Sequence, residues 1–157
     1  MTQTIDRSHP LAVVVIGASG DLALKKIFPA LFALYCQDLL PTTFHIVGFA
    51  RSPMSHEEFR NRVEERLTCR YVPGEKCDER MQNFLSRCTY VSGNYDSPES
   101  FQQLHAELDK LDPGRMENRI FYMAIPPFLF LDVAHALRDA QLVSQGSDSN
   151  WSRVVIE

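Results

Sequence analysis

The sequence predicts a doubly wound α/β fold, a mostly parallel sheet flanked by helices, on three observations. Leu11-Ala-Val-Val-Val-Ile16 is apolar throughout, which suits a strand buried on both faces. Beyond it, strand-like and helix-like segments alternate along the chain, the pattern of βαβ units. Gly17 and Gly20 interrupt the chain where the first strand would hand over to a helix. With 157 residues, 45% hydrophobic and 23% charged, one core is feasible and two independent domains are not.

The remaining elements follow in order. Leu22, Ile27, Leu31, Leu34 and Tyr35 recur at helical spacing, and Pro29 divides that run. The expectation is a short turn over Asp21–Lys26, then a helix with Pro29 in its first turn. Phe44–Ala50 reads as the second strand. Ser55-His-Glu-Glu58 matches a capping box and opens a helix expected to run to about Tyr71. After a break at Val72-Pro-Gly74 come a helix over Asp78–Ser86 and a weak strand at Thr89–Ser92. Ser97-Pro98-Glu99 supplies an N-cap, an N1 proline and a first-turn acid, so Pro98–Leu111 is helical. Arg119–Ile125 is a strand and Ser144–Ser149 a polar loop. Arg153–Glu157 is a last strand. Pro127–Ala140 reads as a helix apolar almost all the way round, which expects cover on every side and would otherwise drive self-association.

Composition narrows the function. Against 16 Lys and Arg stand 20 Asp and Glu, a net charge of −4, which disfavours a nucleic-acid partner. No apolar stretch approaches the roughly 20 residues of a membrane span. Met1–Pro10 is polar, unlike a secretory signal, and is expected to be a flexible N-terminus. Cys36, Cys69, Cys77 and Cys88 show no C-x-x-C spacing. They read as free thiols in a reducing, cytoplasmic compartment, with no metal site.

The chemistry concentrates in Gly17-Ala-Ser-Gly-Asp-Leu22. Gly17 permits a sharp exit from the strand, and Gly20 lets backbone approach a ligand without a Cβ in the way. Amides ahead of a helix N-terminus suit a pyrophosphate. The spacing is G-x-x-G, short of the full dinucleotide fingerprint, but its position at a first βα junction is where nucleotides sit. The sequence lacks the Gly-Lys-[Ser/Thr] of a P-loop. Residues 11–157 therefore read as a Rossmann-type dinucleotide-binding domain. Folds of this kind that use NAD place an acid at the end of the second strand, whereas NADP folds accept an arginine. Arg51 stands there, and no Asp or Glu occurs between Phe44 and Pro53. A guanidinium pairs with a phosphate in bidentate fashion, so the cofactor expected is NADP.

Gly17-Ala-Ser-Gly-Asp-Leu-Ala23 followed by Lys25-Lys26-Ile-Phe-Pro29 resembles the amino-terminal signature of the glucose-6-phosphate dehydrogenase family. Ile46-Val-Gly-Phe-Ala-Arg-Ser52, Asn118-Arg-Ile-Phe-Tyr-Met-Ala-Ile-Pro-Pro127 and Trp151-Ser-Arg-Val-Val-Ile-Glu157 continue the likeness in register. The resemblance implies oxidation of glucose 6-phosphate at C1 with hydride transfer to NADP, the entry to the pentose phosphate pathway, in a homo-oligomeric parent. It assigns the dinucleotide turn to Gly17, Ala18, Ser19, Gly20, Asp21 and Leu22, and the 2′-phosphate contact to Arg51. Lys26 falls near the sugar phosphate, and Pro126, Pro127 and Phe130 fall beside the nicotinamide. Leu24 replaces a lysine of many members, and Phe130 replaces a tyrosine. The family's Lys-Pro-Phe-Gly segment, catalytic histidine and β+α substrate domain are not in this chain, so it is expected to bind NADP without turning over. His9, His45, His56, His105 and His135 do not match the catalytic position and read as surface or packing residues. The alternative is a non-catalytic nucleotide-sensing or interaction module.

Overall fold

A computed structural model describes residues 6–71, 76–143 and 150–157. Strands β1 (Leu11–Ile16), β2 (Phe44–Ala50), β3 (Cys88–Ser92), β4 (Asn118–Met123) and β5 (Ser152–Ile156) form one parallel sheet in the order β3-β2-β1-β4-β5. All six β1 residues are buried, as an unbroken apolar run requires. Successive β1 side chains enter opposite cores. Leu11, Val13 and Val15 pack with Phe28, Phe32, Phe59 and Phe84, whereas Ala12, Val14 and Ile16 pack with Phe101, Leu104, Val133 and Leu137.

The helices supplying those cores are α1 (Phe28–Cys36), α2 (His56–Glu64) and α3 (Cys77–Ser86) on one face, and α4 (Pro98–Leu111) and α5 (Phe130–Asp139) on the other. The chain runs outward from β1 to β2 and β3, then crosses back through α4 to β4 on the far side of β1. Strand order therefore reverses between β1 and β4, the position where parallel α/β sheets open a ligand crevice.

Several boundaries differ from expectation. Pro29 stands in the first turn of α1 as expected, but no separate turn precedes that helix. A wide π-helical turn over Ala23–Ile27 runs straight into α1, with the Phe28 amide donating to the Ala23 carbonyl. That wider turn shifts the hydrogen-bond ladder just ahead of Pro29, which has no N–H to contribute to it. The capping box at Ser55 and Glu58 forms, but α2 ends at Glu64 instead of near Tyr71. The Arg66 and Leu67 amides turn back on the Val63 and Glu64 carbonyls at 3.0 and 3.1 Å, and this tightening stops the helix. The stretch expected to be an all-round apolar helix is a short 3-10 turn, Pro127–Leu129, followed by α5. Only Val133 and Leu137 of α5 are buried, while Asp132, His135, Arg138 and Asp139 face out, so the helix is amphipathic.

The four-thiol reading fails for half the cysteines. Cys69 and Cys77 form a disulfide with Cα atoms 5.6 Å apart, while Cys36 and Cys88 stay free and buried. Spacing along the sequence carries no information about that distance, and the thiol argument for a reducing compartment loses its basis. The opening segment is held from Arg7 onward: its Nε donates to the Leu40 carbonyl at 2.7 Å, and the Asn118 amide donates to the Pro10 carbonyl at 2.9 Å. Residues 1–5, the Val72-Pro-Gly74 break and the Ser144–Ser149 loop lie outside the described residues.

Candidate dinucleotide-binding site

Gly17 leaves β1 with φ +90°, a conformation other residues avoid. A Cβ there would lie 2.2 Å from the Ala124 carbonyl oxygen, so the turn can lie against the end of β4 only as glycine. The Gly17 amide donates to the Phe49 carbonyl of β2 at 2.8 Å, and the Gly20 amide closes the turn onto the Gly17 carbonyl at 3.0 Å. The first helical bond beyond runs from the Leu24 amide to the Gly20 carbonyl at 3.1 Å. The amides of Asp21, Leu22 and Ala23 thus precede it without intrahelical acceptors, at the positive end of the helix dipole. Ala18 is buried under this edge, Ser19 is half-buried and Gly20 is exposed. Asp21 pairs with Lys25 at 3.4 Å in solvent, a contact of little energetic weight. Lys26 is exposed one residue further on.

Arg51 follows β2 at the same end of the sheet. Its guanidinium lies over the ring of Tyr95, 5.9 Å from the centroid, within cation–π range. Tyr95 in turn packs edge-on against Phe49 with centroids 5.8 Å apart. Burial pushes the Tyr95 phenol up, and Arg51 opposes that shift. A cavity of about 250 Å³ opens here, lined by Arg51, Asn94, Tyr95, Asp96, Leu129 and Asp132. Across the crevice, Pro126 and Pro127 are exposed beyond β4 and Phe130 is half-buried at the start of α5.

The turn, Arg51 and the β4–α5 proline pair thus converge on one end of the sheet. Tyr95 escaped the sequence reading. An aromatic residue three positions past the end of β3 was the available signal, but its value depends on β3 lying beside β2.

A second group of titratable side chains lies at the opposite, N-terminal end of the strands. Glu117 is buried, and burial, with Asp112 adding repulsion and Arg119 opposing, raises its carboxyl to about 7. His45, 4.0 Å away, is pushed down chiefly by burial and then by Arg87. Both shifts favour neutral partners, so the contact is not a charged pair. Perturbed groups often mark active sites, but ligands of parallel sheets sit at the other end of the strands.

The described residues hold no group of three His, Cys, Asp or Glu able to bind a metal. An open parallel sheet with a glycine turn at its switch point defines a dinucleotide-binding domain of the Rossmann type. Residues 14–157 match the family described as "Glucose-6-phosphate dehydrogenase, NAD binding domain", and the chain belongs to that family. It is 43% identical over 157 residues to the chloroplastic glucose-6-phosphate 1-dehydrogenase of Spinacia oleracea, covering 100% of this chain and 27% of that one. With the chloroplastic enzyme of Nicotiana tabacum it shares 50% identity over 147 residues, covering 94% and 24%. A solved structure of a glucose-6-phosphate dehydrogenase in complex with its substrate superposes with TM-score 0.77 at 33% identity, over 97% of this chain and 31% of that one. The chain spans about a quarter of the length of these curated relatives.

Proposed function

We propose that this chain is the NADP-binding part of a dehydrogenase that oxidises glucose 6-phosphate at C1. The open amides of Asp21–Ala23 would hold the pyrophosphate, with Gly20 giving it close access. The adenosine would stack in the cavity between Arg51 and Tyr95, and the Arg51 guanidinium would pair with the 2′-phosphate. Pro126, Pro127 and Phe130 would flank the nicotinamide, and Lys26 would face the sugar phosphate. NADP, when bound, supplies the hydride acceptor. The residues named here bind and orient it, and the base and remaining substrate contacts belong to the rest of the relatives' length. Binding without turnover is therefore the activity proposed for this chain alone. A homo-oligomeric parent enzyme completes the reading.

The observation that carries it is Arg51, stacked over an aromatic ring at the end of a second strand that offers no acid. Calorimetric titration of the chain and of Arg51→Ala with NADP and NAD is the test. The expected result is tighter binding of NADP and loss of that advantage in the variant. Equal affinities in the unaltered chain would overturn it.

A further inference from the structure

Residues 51 and 52 are exposed, and their geometry is set from beneath by a side chain of β3. Tyr90 is 5% exposed, and its hydroxyl lies 3.2 Å from the Ala50 carbonyl and 2.5 Å from the Ser52 carbonyl. Those two carbonyls bracket Arg51. We propose that the Tyr90 hydroxyl is a positioning group for the Arg51 loop and so sets the preference for a 2′-phosphorylated dinucleotide. The inference rests on the NADP reading above and deepens it.

The ring cannot carry its hydroxyl elsewhere. It packs on Phe59 with centroids 5.1 Å apart, and Phe59 is wedged over Gly48, where a Cβ would approach its Cζ to 2.7 Å. The Tyr90 amide donates to His56 Nδ1 at 2.9 Å, tying β3 to the first residue of α2. A phenol has one proton to give, and the two carbonyls share it, with Ser52 the nearer. The Ala50 carbonyl also accepts from the Gly93 amide at 2.9 Å. The Ser52 carbonyl has no second partner among the described residues, so the hydroxyl is the tie that fixes the loop beyond β2. Burial raises the phenol to about 12, so it remains a donor at any working pH.

Stacking on Tyr95 serves both dinucleotides, whereas the guanidinium–phosphate contact is made only by NADP. Bidentate pairing tolerates little misplacement. Loosening the loop therefore costs NADP selectively. The experiment is a titration of Tyr90→Phe, which keeps the ring and removes the hydroxyl, with NADP and NAD, alone and combined with Arg51→Ala. Expected are a roughly 3- to 10-fold weaker NADP affinity, in line with the loss of one hydrogen bond, and NAD affinity unchanged within about twofold. No further effect is expected in the Arg51→Ala background. Unchanged NADP affinity, or equal losses for both nucleotides, would overturn the inference. If Arg51→Ala itself leaves the NADP-to-NAD ratio unaltered, the NADP reading falls first and takes this one with it.

Discussion

Gly17 faces the Ala124 carbonyl so closely that no side chain can stand between them: the oxygen lies 2.2 Å from where a Cβ would be. The φ of +90° adds a second penalty. Gly17→Ala is expected to lower stability by about 2 kcal/mol or more, because backbone, not a flexible side chain, must yield. Gly20 contrasts with it. A Cβ there meets only the Gly17 carbonyl, at 3.3 Å, with no positive φ. Gly20→Ala should keep the fold and weaken nucleotide binding. Urea denaturation beside titration separates the two effects.

Tyr95 lines the cavity beside Arg51, and in the proposed site it would offer the same stacking face to both dinucleotides. Tyr95→Ala is expected to weaken NADP and NAD alike by about 1 kcal/mol each, and Tyr95→Phe to restore most of the loss. A loss confined to NADP would assign Tyr95 to the phosphate instead.

Much of this was legible in the sequence because some signals are local. Six consecutive apolar residues declare β1, and Ser97-Pro98-Glu99 starts α4 at Pro98. The placement of the glycine turn after β1 and of Arg51 after β2 was legible because both strand ends are marked locally. Tyr95 and Tyr90 were not, since Tyr90 reaches the end of β2 from β3 and Tyr95 from the segment just beyond it, and that adjacency is tertiary. The Cys69–Cys77 bond was likewise hidden, because it depends on α2 stopping at Glu64. The π turn ahead of Pro29 reflects a compromise between a proline and a helix that packing keeps continuous.

Glu117 predicts a pH dependence. Its carboxyl sits at about 7 in the folded chain against an ordinary 4.5, so the folded state holds the proton longer. Its stabilising contribution is complete below pH 4.5 and is lost as pH rises to about 7. Glu117→Gln keeps the shape and removes the titration. The stability difference between variant and parent should grow in the variant's favour across that window, reaching on the order of 2 kcal/mol. Paired denaturation curves at several pH values test this, and a constant difference would refute it.

The Cys69–Cys77 disulfide spans a separation of 8 residues. A loop of that size stabilises by about 2–3 kcal/mol in the chain-entropy account. Reduction, or replacement of both cysteines by serine, should lower the thermal midpoint by several degrees. Alkylation of the folded protein after mild reduction should label these two thiols and spare Cys36 and Cys88, which are buried. Burial pushes the Cys88 thiol up to about 12, so little thiolate is available to react.

The alternation along β1 has a mechanical consequence. Val14 and Val15 are joined by one peptide bond yet answer to different halves of the molecule, one to the α4–α5 layer and the other to the α1–α3 layer. The strand is a beam gripped from both sides, and it ends in the glycine turn. A shift in either layer reaches Gly17 within three residues and arrives as a displacement of the whole amide edge. Substitutions deep in either core, such as at Phe84 or Leu104, are therefore expected to shift that amide edge although neither side chain lies in the turn.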